Sequence, residues 1–191
     1  ALFLRVGFVG ELGYELHVPA SQGEALWDAL IEAGADAGIR PFGVEAQRLL
    51  RLEKGHIIIS QDTDGLTNPH EADMTWAISR KKPYFVGMRS VSIQESVGIK
   101  RKLVGFEITD SDGASEPKEC HLVIRGGTIT GRVTSITRSP TLGKVIGLAY
   151  VAPDQAEPGS AFDIKTDSGK MVRATVVKLP FYDPDGARQE M

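Results

Sequence analysis

The sequence is poor in cysteine and has no long apolar run. Cys120 is the only cysteine among 191 residues, which excludes a disulfide within the chain and a cysteine-rich zinc site. The apolar runs stay well short of the ~20 residues that a membrane-spanning helix needs. The net charge of -3 gives no overall attraction to nucleic acid or to an anionic membrane. We therefore expect a cytoplasmic protein without nucleic-acid or membrane partners.

Signatures of metal ions and dinucleotides are also missing. The stretch "GFVGELG" at 7–13 has three glycines, but it lacks the G-x-G-x-x-G spacing that opens a helix, so no dinucleotide site is predicted. His70 stands beside Glu71 and close to Asp73, yet no second histidine follows at ligand spacing. No metal is predicted.

What is present is the composition of a globular chain, with 41% hydrophobic and 25% charged residues. Apolar residues between 21 and 34 recur at helical spacing, and Ser21 with Glu24 has the spacing of a capping box. A second amphipathic helix is predicted over 44–55, ending at Gly55.

Short strands are predicted around these helices. Residues 2–4 and 14–18 have the character of a strand pair with a turn near Gly10. The stretches "HIII" at 56–59 and "MTWAIS" at 74–79 also favour strands.

Beyond a boundary placed between residues 87 and 102, nearly every segment has strand character. Hairpins are predicted with turns at 126–127 and 167–169. Several strands at short spacing indicate a small antiparallel barrel or sandwich. The sequence thus predicts an α+β fold, with an antiparallel sheet and helices in 1–95 and a β-barrel in 96–191.

Five stretches carry a resemblance to a known family. They are "GFVGELGYELHVP", "LLRLEKGHIIISQDTDGLTNPHEADMTWAIS", "YFVGMRSV", "GGTITGRVTS" and "LPFYDP". Together they resemble the C-terminal half of the aminomethyltransferase (glycine-cleavage T-protein) family, with its Y-T-G-E-x-G-x-E, L-R-x-E-x-G and P-x-E-x-x-L-x-W motifs. Within that family, "RLEKGHIII" and "QDTDGLTNPHEA" are most similar to the α subunit of heterotetrameric sarcosine oxidase. The resemblance identifies 1–95 as the C-terminal part of the folate-binding domain and 96–191 as the C-terminal barrel domain.

The resemblance implies a tetrahydrofolate site and transfer of a one-carbon unit from an amine-derived intermediate to that folate. A sarcosine oxidase parent would demethylate sarcosine, with flavin and NAD held by parts of the complex outside this chain. We expect a fragment of such a parent, with reduced folate and the other subunits as partners and a homodimer of the fragment as a further expectation. The alternatives are a T-protein-like aminomethyltransferase and a non-catalytic folate-binding or scaffold module. The family's catalytic aspartate lies in the N-terminal half, so no catalytic residue is assigned here and the chain alone is expected to be inactive.

Glu15 is the main folate-binding candidate, because it matches the second glutamate of the Y-T-G-E-x-G-x-E motif. One carboxylate can accept hydrogen bonds from the ring N–H and the adjacent amino group of a pterin. Hydrogen bonds to a charged group contribute roughly 1.5–3 kcal/mol each. The alternative is that Glu15 is a solvated strand residue.

Six further positions complete the candidate site. Glu11 matches the first glutamate of the motif, either as a ligand or as a cap for backbone N–H groups. Phe8 stands at the motif's tyrosine, so an aromatic face for stacking remains but the hydroxyl is lost. The other four are Trp76, Leu16, His17 and Tyr182, each with packing or surface exposure as its alternative.

The second helix bears on the binding of the folate tail. Gln47 stands where family members carry an arginine for the glutamate tail, and Arg48 is its neighbour. One residue along a helix is a rotation of about 100°, so Arg48 need not replace that arginine. Arg51 is expected to pair with a carboxylate of the protein.

Overall fold

The computed structural model describes residues 1–109 and 116–190. Its first part contains two short strands and three helices. They are β1 (Leu2–Arg5), β2 (Tyr14–His17), α1 (Gly23–Ala33), α2 (Val44–Glu53) and α3 (Met88–Val97). β1 and β2 form a two-stranded antiparallel hairpin in which Leu4 lies opposite Glu15.

The second part is a closed antiparallel barrel of six strands. The strands are β3 (Lys102–Ile108), β4 (Leu122–Arg125), β5 (Thr128–Ser139), β6 (Lys144–Val151), β7 (Ala161–Lys165) and β8 (Met171–Val177). Around the barrel they follow the order β3-β6-β5-β4-β7-β8. Gly126 and Gly127 both have positive φ at the β4–β5 turn, a conformation that glycine adopts without a Cβ clash. The predicted α+β fold with an antiparallel barrel is confirmed.

β6 is buried on both faces because the barrel lies on one side of it and α2 on the other. Val145, Ala149 and Val151 point into the barrel and pack in its apolar core. The alternating residues Ile146, Leu148 and Tyr150 form a second core with Leu52 of α2. Side chains alternate between the faces of a strand, so one strand supplies both cores. This double packing fixes α2 against the barrel.

The start of α1 differs from the prediction. A 3₁₀ turn over Ala20–Gln22 precedes the helix, and the residue flanking the helix, Gln22, makes no side-chain capping bond. Ser21 therefore lies inside the turn, so the predicted capping box with Glu24 is wrong. The hairpin strands, both predicted helices and the barrel strands are present at or near their predicted places.

Two predicted strands are wrong. Residues 56–59 form an irregular loop instead, in which the Asp62 carboxylate accepts the Ile58 N–H at 2.8 Å. The stretch 74–79 contains a 3₁₀ turn at Thr75–Ala77, where Ala77 N–H bonds the carbonyl of Met74. Helix α3 was not predicted, and it lies where the domain boundary was placed. That boundary stays a prediction.

The hairpin and the helices outside α2 leave much apolar surface exposed. Every residue of β1 and β2 is exposed, including the stacked rings of Phe3 and Tyr14, whose centroids lie 4.9 Å apart. Trp27 of α1 is 55% exposed. Within the described residues, no helix combines the length and the apolar character that crossing a bilayer requires.

Candidate functional site

A cavity of about 510 Å³ lies between the loop after β1 and the loop before the barrel. Phe8 and Trp76 both line it, together with His56 and Leu103. Trp76 is 78% exposed, which leaves its side chain accessible to a ligand. The structure thus brings two of the aromatic candidates, 68 residues apart in sequence, to one cavity.

The end of α2 shapes this cavity. Gly55 has φ +74°, and this conformation turns the chain sharply after Lys54. A Cβ at this position would lie 3.0 Å from the Leu179 side chain, so the turn also packs closely on Leu179. The turn places His56 beside Phe8: its Nδ1 donates to the Phe8 carbonyl at 2.8 Å, and the two rings stack with centroids 6.2 Å apart. His56 thereby fixes the backbone that carries the Phe8 ring.

A second cavity, of about 190 Å³, adjoins the first and shares Lys54 with it. Glu11 and Tyr182 line this cavity together with Arg188. Arg188 Nε donates to Glu11 Oε1 at 2.5 Å, and its guanidinium lies 5.8 Å from the centroid of the Tyr182 ring. The hydrogen bond to Glu11 and the charge of that carboxylate raise the pKa of Arg188. The structure therefore brings Glu11 and Tyr182 together through Arg188.

The remaining candidates lie on the exposed hairpin. Glu15, Leu16 and His17 occupy consecutive positions of β2. The Glu15 carboxylate accepts a hydrogen bond from His17 Nε2 at 3.0 Å, and about half of each side chain stays exposed. Neither cavity is lined by these three residues.

Arg51 of α2 forms a buried ion pair. Its Nη1 donates to Asp62 Oδ2 at 2.8 Å, and the two side chains are 2% and 0% exposed. Ser135 joins them: its hydroxyl accepts from Arg51 Nη2 at 2.7 Å and donates to Asp62 Oδ1 at 2.6 Å. The prediction that Arg51 pairs with a carboxylate of the protein is confirmed. The network ties α2, the loop after it and β5 together.

Arg48 is also engaged. Its Nη2 donates to Gln61 at 3.1 Å and to Glu119 at 3.3 Å, on the rim of a separate cavity of about 380 Å³. Among the described residues, no group of three His, Cys, Asp or Glu side chains is placed to hold a metal ion.

Sequence reasoning missed His56, Lys54 and Arg188 as residues of the site. Arg188 lies 177 residues from Glu11, and neither periodicity nor a local motif signals a contact at that distance.

Two family models match the chain. The GCVT N-terminal domain matches residues 1–82, and the glycine cleavage T-protein C-terminal barrel domain matches residues 101–183. The aminomethyltransferase of Halothermothrix orenii is 39% identical over 180 residues, covering 94% of this chain and 49% of that protein. The sarcosine oxidase subunit alpha of Corynebacterium sp. strain P-1 is 36% identical over 200 residues, covering 97% of this chain and 20% of that protein.

A solved structure agrees with these matches. The crystal structure of glycine cleavage system aminomethyltransferase T from Bartonella henselae superposes with a TM-score of 0.85 at 25% identity. The match covers 95% of this chain and 50% of that one. The chain spans about half the length of the aminomethyltransferases it matches.

Proposed function

Since the chain belongs to the aminomethyltransferase (glycine-cleavage T-protein) family, we propose that it is the folate-binding portion of a one-carbon-transfer module. The family is folate-dependent, which supports tetrahydrofolate as the ligand. In this proposal the chain binds and orients the reduced folate. The group that moves protons at the transferred carbon lies in the other half of the family's chain.

The cavity shared by Phe8 and Trp76 is the observation that carries the proposal. Its volume of about 510 Å³ falls in the range of small-molecule sites. A pterin is a flat, electron-poor ring system, and aromatic side chains bind such faces by offset stacking or edge contacts. We assign the face of the pterin to Phe8 and the opposite wall of the cavity to Trp76.

Glu15 supplies the polar part of the proposed recognition. A carboxylate offers about four lone-pair positions, and the bond from His17 occupies one of them. The others are available for the ring N–H and the amino group on one edge of the pterin. Glu11, Leu16, His17 and Tyr182 belong to the same proposal as neighbours on the hairpin and in the adjoining cavity.

We further propose a sarcosine oxidase α subunit as the parent, with sarcosine demethylation as the source of the one-carbon unit. The similarity to the two Corynebacterium sarcosine oxidase subunits, across 97% of this chain, supports it. Flavin, NAD and the partner subunits then belong to other parts of that complex. A T-protein-like aminomethyltransferase is the second candidate, and it is favoured by the 39% identity to the Halothermothrix orenii enzyme. Copurified flavin in the full-length protein would separate the two.

The test is a calorimetric titration of the full-length protein with tetrahydrofolate under anaerobic conditions. We expect Glu15→Gln to weaken binding by about ten-fold or more, because it removes the charge that strengthens both hydrogen bonds. Glu32→Gln, at an exposed position of α1, is the matched control and should bind like the wild type. Equal binding by the wild type and Glu15→Gln would remove Glu15 from the site. No binding by the wild type would overturn the folate proposal.

A further inference from the structure

The C-terminal residues 182–189 form a connector between α2 and the β1–β2 hairpin. At the α2 end, Tyr182 N–H donates to the Glu53 carbonyl at 3.0 Å. Lys54 Nζ donates to the Asp183 carbonyl at 2.7 Å and to its carboxylate at 3.2 Å. Because Leu52 of α2 packs on β6, these bonds anchor the connector to a helix that is fixed against the barrel.

Asp183 then fixes the position of Arg188. Its carboxylate accepts the Ala187 N–H at 3.0 Å and the Arg188 N–H at 3.2 Å, which holds the last turn of the chain, Ala187–Gln189. A carboxylate that accepts backbone N–H groups in this way limits the conformations of the turn. The Arg188 side chain therefore leaves the connector at a defined place.

Arg188 and its neighbour bind the hairpin at three points. Arg188 Nε donates to Glu11 Oε1 at 2.5 Å, and the Arg188 carbonyl accepts the Leu12 N–H at 3.0 Å. Arg5 Nη2 donates to the Gln189 carbonyl at 2.7 Å. One bond thus reaches the end of β1, and two reach the loop before β2.

These bonds tie the hairpin to the rest of this chain. Every residue of β1 and β2 is exposed within this chain, so little packing among the described residues holds the orientation of the hairpin. Glu15 stands on β2, three residues after Leu12. A change in the orientation of the hairpin therefore moves the Glu15 carboxylate relative to the cavity of Phe8.

We propose that Arg188 is a positioning residue for folate binding: by holding Glu11 and Leu12, it sets the place of the hairpin that carries Glu15. The inference rests on the proposed function of Glu15. It gives the Glu11 carboxylate the task of binding Arg188 rather than the ligand. Glu11 and Arg188 then act as a unit, and the effects of substituting them should not add.

The test combines hydrogen exchange with tetrahydrofolate binding in the full-length protein. Arg188→Ala removes the bond to Glu11 and keeps the Arg188 carbonyl that accepts the Leu12 N–H. It should raise the exchange of the β1–β2 amides by about five-fold and leave the barrel amides unchanged. It should weaken tetrahydrofolate binding about five-fold, in the range of a charged surface contact. Arg125→Ala is the matched control, because Arg125 pairs with Asp154 at 2.6 Å on the barrel with a similarly exposed side chain. That control should change neither measurement.

A charge-reversed pair separates positioning from a general loss of stability. The double variant Glu11→Arg with Arg188→Glu restores the ion pair, so it should recover most of the lost affinity. In a Glu11→Gln background, Arg188→Ala should add less than about two-fold. In steady-state kinetics, Arg188→Ala and Glu11→Gln should each raise the KM for folate and leave kcat within about two-fold of the wild type. The reason is that they weaken binding of the ground state and the transition state equally.

Three results would overturn the proposal. One is an Arg188→Ala variant in which both the hydrogen exchange of the β1–β2 amides and the affinity for tetrahydrofolate equal those of the wild type. Another is a loosened hairpin with unchanged affinity. The third is additive loss in Glu11→Gln with Arg188→Ala. A wild-type protein that binds no tetrahydrofolate overturns the proposed function, and with it the folate role of Arg188. The exchange data, measured without ligand, still decide whether Arg188 orders the hairpin.

Discussion

Nε2 of His17 lies 3.0 Å from Oε2 of Glu15, so the carboxylate assigned to the pterin already accepts a hydrogen bond from its own strand. Positions i and i+2 of a strand lie on the same face, which makes this contact a direct consequence of the sequence. A pterin edge that needs both carboxylate oxygens must share Oε2 with His17 or displace it.

We predict that His17→Ala increases the affinity for tetrahydrofolate about two-fold, because an exposed contact of this kind contributes only about 0.2–1 kcal/mol and its loss frees Oε2 of Glu15 for the ligand. Calorimetry at one fixed pH measures the change. His121→Gln, which removes the histidine that bonds Asp167 at 3.0 Å on the barrel, should leave the affinity unaltered. Weaker binding by His17→Ala would instead make His17 part of the ligand contact.

Substituting one member of the buried pair of Arg51 and Asp62 should have a large effect on stability. Removing one partner leaves an uncompensated buried charge, so Asp62→Ala should lower the free energy of unfolding by about 3–5 kcal/mol. Urea unfolding measures the loss. The exposed pair of Asp163 and Arg173, 3.2 Å apart, gives the comparison, and Asp163→Ala should cost less than about 1 kcal/mol. Similar losses of stability at both sites would mean that burial does not make the Arg51–Asp62 pair more important than an exposed ion pair.

Gly131 lies in the barrel at a position where the backbone of Tyr150 leaves no room for a side chain. A Cβ at this position would lie 1.8 Å from the Tyr150 carbonyl oxygen, and backbone cannot move aside as a side chain can. We expect Gly131→Ala to lower the free energy of unfolding by at least about 2 kcal/mol. Gly65→Ala, where a Cβ would meet no atom within 4 Å, is the control and should change stability little. A stable Gly131→Ala variant would show that β5 and β6 can separate at that point.

The sequence predicted the barrel well because its strands and turns carry local signals. In β7 and β8 buried residues alternate with exposed or partly buried ones, and the glycines at 126–127 mark a turn. The segment of Trp76 was predicted wrongly for a different reason. Local bonds such as Met74 N–H to the Pro69 carbonyl, at 2.8 Å, decide its conformation.

Residues of the candidate site could be predicted only where they matched a motif. Phe8 and Trp76 came from the family resemblance, and the structure places both at one cavity. Arg188 and Ser135 could not be found this way, because their partners are 177 and 84 residues away along the chain. Contacts of that kind follow from the closure of the barrel and the return of the C-terminal connector, which no local pattern encodes.

The contact between Asp64 and Arg101 should make the stability of the folded protein depend on pH in acid. Its carboxylate accepts both Nη1 and Nη2 of Arg101 at 3.2 Å, and the hydroxyl of Thr67 at 2.8 Å. The hydrogen bonds from Arg101, followed by that from Thr67, lower the pKa of Asp64 well below its usual range. The folded state therefore holds the proton less tightly than the unfolded state, whose aspartates titrate near about pH 4.

This contribution to stability is fully present above about pH 4 and is lost as the pH falls through the lower, folded-state value. Asp64→Asn removes the titrating group, so its stability should fall less steeply between about pH 4 and pH 2 than that of the wild type, and the two curves should converge in acid. Urea unfolding at a series of pH values gives both curves. Asp28→Asn, on the exposed face of α1, should follow the wild-type slope throughout. Parallel curves for Asp64→Asn and the wild type would mean that Arg101 gives the Asp64 carboxylate no preference for its charged form in the folded protein.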